Sequence, residues 1–330
     1  MEKFKSYQKL SLAFLGTAAL SFSQVAGSQY PPAYPNNASQ QPAANHEMAQ
    51  PGTINYVEGQ VSLNNQTLGS HGSAMMQPGN TLSTGNGFAE VLLTPGVFLR
   101  VGNNSEIRLG NAGLAGAQVQ LDHGVANVEV DQLINGTHLA INMNAATIQI
   151  EKKGLYDFNA DQQAVKVLDG KLNVEAAAGT KAIGKGDQLL LASEKPLKSQ
   201  GFNMKAEEAQ PLYVWSEARS RDESQANVAI AQNVAAYGGW YGSGWYWDPY
   251  WSSFAFLPGS GFLYSPFGWG FYSPAFIGYY GVPYGYGRFG YARGHVYGVG
   301  ASVSGYRSVG GGFHSAGGGG FHGGGGGGRR

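Results

Sequence analysis

The chain contains no cysteine among its 330 residues. That absence excludes disulfide frameworks, thiol nucleophiles, zinc–thiolate sites, iron–sulfur clusters and a lipidated N-terminal cysteine. Charged residues are scarce as well, and 21 basic and 21 acidic side chains leave a formal net charge of zero. The glycine-rich C-terminus has too few arginines for Arg-Gly binding of RNA or DNA, so we expect no nucleic-acid partner.

Motifs of catalytic and metal sites are also missing. The sequence has no Gly-x-Ser-x-Gly, Walker loop or His-Glu-x-x-His motif, and its seven histidines are scattered. These absences predict a non-enzymatic protein with no catalytic residue, no metal site and no cofactor. Acidic residues of the predicted strands are interpreted as solvated: Glu129, Asp131, Glu151 and Glu175. Since two carboxylates in a cleft suffice for glycoside hydrolysis, an envelope glycosidase stays as a third hypothesis.

The N-terminus predicts a secretory signal peptide over residues 1–27. Lys3, Lys5 and Lys9 precede an apolar stretch, residues 10–22, and small residues follow at 25–28. The apolar stretch is shorter than the about 20 residues that span a bilayer. We expect cleavage, with an uncleaved anchor as the alternative, and no transmembrane span afterwards. The mature protein is then periplasmic or extracellular, in the cell envelope.

Two regions follow the predicted signal peptide. Residues 28–51 are rich in Pro, Asn, Gln and Ala, which predicts a disordered linker. Over residues 52–193 apolar and polar residues alternate with a period of two, the pattern of strands with one buried face. Two-residue turns separate the strands, at Pro95-Gly96, His123-Gly124 and Asp169-Gly170. The last is expected to form a hairpin with positive φ at both residues. The predicted fold class is all-β, an antiparallel sandwich or roll of short strands.

A helical segment is predicted for residues 207–236, where apolar residues recur at spacings of three and four. We expect this helix to start near Pro211 and to break around Ser224. Leu212, Trp215 and Arg219 share one helical face, which predicts docking on the β domain as a capping helix.

Residues 52–193 resemble the FecR-like domain family. The resemblance rests on the order and spacing of strand–glycine–strand blocks, at residues 52–64, 78–101, 104–107, 119–128, 154–158, 165–174 and 183–189. The family implies an extracytoplasmic β module, which in signal-transducing members relays receptor occupancy to a sigma factor. Those members carry an anti-sigma segment and a transmembrane helix before the module, whereas nine residues precede the apolar stretch here. A component of FecR-type signal sensing without its own anti-sigma segment is therefore the alternative function.

Residues 237–330 predict a low-complexity tail, because they contain 30 of the 52 glycines. Residues 237–297 also contain 24 aromatic residues, whose side chains are adhesive. Three hypotheses remain open for them: self-association or docking on an envelope surface, sugar stacking, and packing back onto the β domain. The candidate interaction residues are Trp240, Tyr241, Trp245, Tyr246, Trp247, Tyr250, Trp251 and Trp269.

The leading hypothesis is an exported structural or binding protein of the envelope. Its β module would contact a protein or a cell-wall glycan, and its tail would mediate adhesion or assembly.

Overall fold

The computed structural model of the protein describes residues 48–69, 74–191 and 197–281. The predicted signal peptide, most of the predicted linker, and the chain from residue 282 onward lie outside the described residues. Among the described residues, no helix is long and apolar enough to cross a membrane.

One large sheet contains most of the strands and confirms the all-β prediction. Its strands are β1 (Thr53–Leu63), β2 (Gln66–Thr67), β3 (Ala74–Met75), β4 (Thr81–Thr94), β5 (Val97–Val101), β6 (Ser105–Gly113), β7 (Gly116–His123), β8 (Val125–Val130), β9 (His138–Met143), β10 (Ala146–Ile150), β11 (Gly154–Asn159), β12 (Ala164–Asp169), β13 (Lys171–Ala176), β14 (Gly179–Gly184), β15 (Asp187–Leu190) and β16 (Ser199–Gly201). The pairs are antiparallel except β7 with β9, which run parallel, so the sheet is mixed.

The sheet curls into a roll. Its strand order is β14-β13-β10-β9-β7-β6-β4-β5-β8-β11-β12-β15-β16, and β1 pairs with β2, β3 and β4. Eight strands separate β12 from β13 in this order, yet Gly170 alone joins them in the chain. A single residue can connect them only where the two parts of the sheet face each other. Apolar side chains from both parts form one core.

The period-two pattern correctly predicts the inward-facing residues. Val119, Leu121, Val128 and Ile148 are all at most 1% exposed and belong to the main core. Each such burial contributes roughly 1.5–3 kcal/mol relative to an exposed side chain. The alternation therefore stabilises the roll in the way that the sequence predicts.

Only one of the three predicted turns is a hairpin. Pro95-Gly96 joins the paired strands β4 and β5, and Gly96 has φ +81°. The predictions for Asp169-Gly170 and His123-Gly124 are wrong, since β12 pairs with β11 and β15, and β7 pairs with β6 and β9. Gly170 has φ +96°, but Asp169 is not in the positive-φ region. The glycines of these two turns do have positive φ, as the local sequence predicts. The strands on either side of them pair with other strands, because packing of the core between distant parts of the chain decides the pairing.

Two helices follow the sheet, α1 (Met204–Glu208) and α2 (Pro211–Tyr237). α2 starts at Pro211 as predicted, but the predicted break around Ser224 is wrong. Ser224 is buried within a continuous helix, where its Oγ donates to the carbonyl of Gly270 at 2.7 Å. A partner outside the helix thus satisfies the hydroxyl, so it does not compete with the helical hydrogen bonds.

The first part of the predicted low-complexity tail is folded. It forms β17 (Gly244–Asp248), β18 (Ser253–Leu257), β19 (Phe262–Tyr264), β20 (Gly270–Tyr272) and α3 (Pro274–Tyr280). Trp245 and Phe256 are cross-strand neighbours on one face of the β17–β18 hairpin and pack on Leu92 and Phe98 of the large sheet. The other face packs on α2. A glycine-rich segment does not form a core by itself. This hairpin lies between the large sheet and α2, and the apolar side chains of both complete a core around it. We call residues 211–281 the C-terminal layer.

Candidate functional site

The C-terminal layer buries a polar face of the large sheet. Asn55 of β1, Glu90 of β4, Arg100 of β5 and Glu129 of β8 point outward, away from the main core, and are at most 8% exposed. Their neighbours along each strand point into that core, as the alternation predicts. A second layer covers the face, so side chains that would otherwise be solvated have to find protein partners.

Arg100 is the centre of a buried charge cluster. Its Nε donates to Glu90 Oε2 at 2.8 Å, and its Nη1 donates to Glu129 Oε2. Its Nη2 lies 3.6 Å from Glu223 Oε2 on α2, and the Arg100 side chain has no exposed surface. One guanidinium therefore joins two sheet strands to the helix that covers them.

Arg219 of α2 reaches the same cluster. Its Nη2 donates to Glu90 Oε1 at 2.9 Å and lies 3.4 Å from Glu223 Oε1. Its guanidinium carbon also lies 4.2 Å from the ring centroid of Tyr56, in cation–π geometry. The helix thus brings one positive and one carboxyl group to a sheet that already holds charges of both signs.

The predicted docking face of the helix is confirmed. Leu212 is 5% exposed, and Arg219 binds Glu90 as described. Trp215 stacks on Phe88 of β4 at a centroid distance of 5.1 Å, and its Nε1 donates to Glu58 Oε2 at 2.8 Å. α2 is a capping helix of the β domain, held by an aromatic stack at one end and by ion pairs further along.

The pKa values of the two buried carboxyls Glu90 and Glu223 shift in opposite directions. Burial opposes ionisation of Glu90, but Arg219 and Arg100 outweigh it and hold the pKa of that carboxyl well below its usual range. Burial raises the pKa of Glu223 well above its usual range, and the charge of Glu90 adds to this effect against both arginines. Glu90 is therefore the ionised partner of the arginines, whereas burial and the charge of Glu90 favour the neutral form of Glu223.

Asp131, directly after the end of β8, is a further buried carboxyl beside the cluster. Burial and the neighbouring Glu129 raise the pKa of Asp131 well above its usual range. Both carboxyl oxygens of Asp131 are buried without a hydrogen-bond partner among the described residues, and burial of this kind favours the neutral form. The two arginines, Arg100 and Arg219, are then balanced by two salt-bridged carboxylates. A neutral cluster is far less costly to bury than one with excess negative charge.

Two asparagines fix the β hairpins of the C-terminal layer. Asn55 Nδ2 donates to the carbonyl of Phe254 at 2.9 Å, and its Oδ1 accepts from the Phe254 amide at 2.7 Å. Asn227 of α2 donates to the carbonyls of Phe256 and Tyr272, at 2.8 and 3.0 Å, and accepts from the Tyr272 amide at 2.9 Å. Each side chain pairs with backbone groups as a neighbouring strand would, and so defines the position of the hairpins.

A second charge cluster holds α1. Lys166 Nζ lies 2.6 Å from Glu207 Oε2 and 3.6 Å from Asp157 Oδ1. Asn127 Nδ2 donates to Asp157 Oδ2 at 2.9 Å. Burial, together with the charge of Glu207, raises the pKa of Asp157 to about 7.

Part of the sheet that carries both clusters matches a family model. Residues 80–181 match the family model of the FecR protein. The chain contains a FecR-like domain. This confirms the resemblance predicted from the sequence. The matched residues include Glu90, Arg100 and Glu129, whereas the C-terminal layer lies outside them, so the FecR-like domain supplies only the sheet side of the charge cluster.

Comparison with solved structures gives distant similarities. Two crystal structures of a candidate anti-sigma factor from Parabacteroides distasonis ATCC 8503 are 16% and 15% identical to this chain, each with a TM-score of 0.33. The similarity covers 38% of this chain and 61% of that chain, which is less than two thirds of its length. Among curated proteins, none matches the chain significantly.

The structure separates the eight candidate interaction residues into three groups. Trp245 and Tyr246 are at most 1% exposed, and they hold the β17–β18 hairpin between the FecR-like domain and α2. They present no surface to a partner in this fold, because a buried side chain is already in contact with its own protein. Tyr241 and Tyr250 are 74% and 59% exposed. The remaining four are half-buried: Trp240, Trp247, Trp251 and Trp269.

Further aromatic residues of the same layer are exposed. Eleven large apolar side chains are exposed in the described part of the chain, and six of them lie between residues 237 and 280. Besides Tyr241 and Tyr250, they are Tyr237, Phe262, Tyr279 and Tyr280. The FecR-like domain therefore carries a layer whose inner aromatics are buried and whose outer aromatics face solvent.

An open cleft of about 740 Å³ lies beside this layer. Two acidic residues line it, Asp131 and Glu151. Both carboxyl oxygens of Asp131 are buried, and Glu151 forms a surface ion pair with Lys171 at 3.0 Å. The cleft thus gives no support to the glycosidase hypothesis, which requires two accessible carboxyls. Within the described ranges, no group of acidic or histidine residues is arranged to hold a metal ion.

The interpretation of the acidic residues is correct for two and wrong for two. Glu151 and Glu175 are exposed, as predicted. Glu129 and Asp131 are at most 2% exposed, because the C-terminal layer covers their face of β8. One sequence signal for the buried cluster was missed: Arg100 is the only polar residue of β5, Val97–Val101. A charge within an apolar strand requires buried partners.

Proposed function

We propose that the protein is an exported, non-enzymatic component of the cell envelope, in which a FecR-like domain supports an aromatic binding surface. The observation that carries the proposal is the two-sided C-terminal layer. Its inner side packs on the FecR-like sheet, while Tyr241, Tyr250, Tyr279 and Tyr280 on its outer side are 59–81% exposed. The predicted signal peptide at residues 1–27 supports the periplasmic or extracellular location.

Fixing the aromatic residues favours binding. A surface that is already ordered does not lose the conformational entropy that a free glycine-rich chain would lose on association. The asparagine and arginine contacts of the layer provide this order. Exposed apolar surface of this kind marks an interaction site. The partner in this proposal is an envelope protein or a cell-wall glycan, and self-association through the tail is a further mode of assembly.

Fractionation of cells that express the tagged full chain tests this proposal. A variant with Tyr241→Ser, Tyr250→Ser, Tyr279→Ser and Tyr280→Ser removes the exposed rings and leaves the buried aromatics in place. A matched control, Leu114→Ser with Ile134→Ser, removes exposed apolar side chains from the FecR-like domain instead.

We expect the wild type and the control to remain in the washed envelope fraction, and the four-residue variant to be released several-fold more. Washing with 1 M salt should not release the wild type, because screening to about 3 Å weakens charge contacts and leaves apolar contacts intact. Recovery of the wild type in the cytosol, or equal retention of all three proteins, would contradict the proposal.

A role in FecR-type signal sensing is the second candidate, and the match of residues 80–181 to the family model favours it. Deletion of the gene would then change the transcription of genes that depend on an extracytoplasmic sigma factor. The adhesion function alone predicts no such change, so a transcript profile of the deletion strain distinguishes the two.

A further inference from the structure

Four exposed or half-buried rings form a continuous row at the end of the C-terminal layer. In order they are Phe262, Phe276, Tyr280 and Tyr279, with centroid distances of 5.1, 4.9 and 4.7 Å between neighbours. We call these four residues the aromatic row. Phe262, Tyr280 and Tyr279 are 49%, 59% and 81% exposed. The planes of neighbouring rings in this order are inclined to each other by 55°, 39° and 73°, so the rings pack against one another and turn their exposed surfaces in different directions.

Neighbouring buried residues hold the aromatic row in place. Tyr272 of β20 stacks on both Phe262 and Phe276, at 6.2 and 5.7 Å and with interplanar angles of 28°. Ser273 caps α3, its Oγ accepting from the Phe276 amide at 3.2 Å. Ile277 of α3 is buried against α2. The rings are thus held in place before any ligand arrives, which lowers the entropy cost of binding.

The size of the row argues against a protein partner. At about 200 Å² for each fully exposed aromatic side chain, the three exposed rings offer roughly 400 Å². A stable protein interface requires about 800 Å² from each partner. A single polysaccharide chain needs far less, because one sugar ring covers one aromatic ring.

The chemistry around the row argues for an uncharged ligand. Residues 249–287 contain no Asp, Glu, Lys or Arg, so the segment that builds the row offers no side-chain charge to an ionic ligand. The apolar C–H faces of pyranose rings pack on aromatic faces, and the Tyr279 and Tyr280 hydroxyls can exchange hydrogen bonds with sugar hydroxyls.

We propose that the aromatic row is a binding site for a neutral polysaccharide. This inference rests on the proposed function and names the ligand class of one part of the aromatic surface. Pyranose rings pack on the exposed surfaces of Phe262, Tyr280 and Tyr279, and apolar contact rather than charge holds the chain.

Co-sedimentation of the purified full chain with particulate cellulose and with chitin tests the site, with alginate gel as a charged contrast. The row variant combines Phe262→Ser, Tyr279→Ser and Tyr280→Ser. The control is Leu114→Ser with Ile134→Ser, and Tyr279→Phe with Tyr280→Phe keeps the rings while removing their hydroxyls. Equal melting temperatures of the variants and the wild type show that loss of binding is not loss of folding.

We expect the wild type to bind cellulose or chitin, at low salt and at 1 M salt, and to bind alginate less. The row variant should bind at least about tenfold more weakly, a factor that corresponds to about 1.4 kcal/mol. The control and the phenylalanine variant should retain most of the binding. Failure of the wild type to bind both neutral polymers, or equal binding by the row variant, overturns the inference.

Two further outcomes separate this inference from the proposed function. If sedimentation velocity shows row-dependent self-association without polysaccharide binding, the row is a protein interface and the inference is wrong. If the wild type stays in the envelope fraction but binds neither polymer, the inference fails while the proposed function stands. Absence of the wild type from the envelope contradicts the proposed function itself.

Discussion

Replacing each of two buried glutamates by glutamine should give opposite results, although both contact the same two arginines. Glu90 accepts from Arg100 at 2.8 Å, from Arg219 at 2.9 Å and from Asn55 at 2.9 Å. In Glu90→Gln one acceptor oxygen becomes an NH₂ group that faces an arginine, and two buried positive charges lose a shared partner. Breaking a buried ion pair costs about 3–5 kcal/mol of the free energy of unfolding, and we expect a loss in that range.

Glu223→Gln should not lower stability at neutral pH. Burial and the charge of Glu90 raise the pKa of Glu223 in the folded state, so folding of the wild type takes up a proton once the pH exceeds the unfolded value of about 4.3. Wild-type stability therefore falls as the pH rises from that value towards the folded pKa. Glutamine is a neutral group of similar shape that needs no proton. We expect the variant to match the wild type within about 1 kcal/mol at about pH 4 and below, and to become increasingly more stable than the wild type above it.

Urea denaturation of the full chain, followed by tryptophan fluorescence and by circular dichroism, measures both variants. With the same dependence on urea, the shift in midpoint gives the change in stability. Equal losses for the two variants, or a larger loss for Glu223→Gln at pH 7, would refute the assignment of the charges in the cluster.

Three other predictions concern the contacts around the cluster. The pKa of Asp157 is about 7 in the folded protein, which therefore holds this proton more tightly than the unfolded chain does, and wild-type stability should fall between about pH 4 and pH 7. In Asp157→Asn this fall should be absent, and urea midpoints measured across the same pH range test it. Gly170→Ala should lower the free energy of unfolding by about 1–3 kcal/mol more than Gly186→Ala does. Both glycines have positive φ, but only the new methyl group at position 170 meets the Tyr156 hydroxyl. Thermal or urea unfolding measures the difference. Asn227→Ala leaves three buried backbone groups without partners and should lower stability by about 1–3 kcal/mol or more, with loss of near-ultraviolet dichroism from the tryptophans.

Each of these predictions has a control and a contradicting result. For Asp157, the exposed Glu175→Gln should leave the pH profile unchanged, and an unchanged profile in Asp157→Asn would show that another group titrates. For the glycines, equal costs would mean that the close approach at Gly170 is absent. For Asn227, the exposed Gln232→Ala on the same helix should be neutral. Wild-type stability of Asn227→Ala would mean that the asparagine does not hold the hairpins.

The sequence correctly predicts which residues of the strands face the main core. Alternation along β7, β8 and β10 correctly assigns Val119, Val128 and Ile148 to the core, because the period of a strand alone decides which residues share a face. Alternation does not say what covers the other face. Glu129 is buried by a layer that begins 82 positions later in the chain, at Pro211, and no local pattern contains that information.

The candidate site depends on long-range contacts of the same kind. Composition identifies the aromatic segment, yet Trp245 and Tyr241 have similar local sequence and opposite environments, 1% and 74% exposed. What separates them is the contact of Trp245 with Leu92 and Phe98, on strands far away in the chain. The same long-range packing makes Gly170 a connection across the roll instead of a hairpin turn.

Hydrogen–deuterium exchange of the full chain tests most directly whether the FecR-like domain carries an ordered aromatic layer. Amide exchange slows with local stability, so a docked segment and a free one differ by orders of magnitude in rate. We expect peptides from α2 and from the β17–β18 hairpin to be protected to a degree comparable with peptides from β5 and β8. Exchange of residues 211–281 at the rate of an unstructured peptide, beside a protected FecR-like domain, would contradict the account.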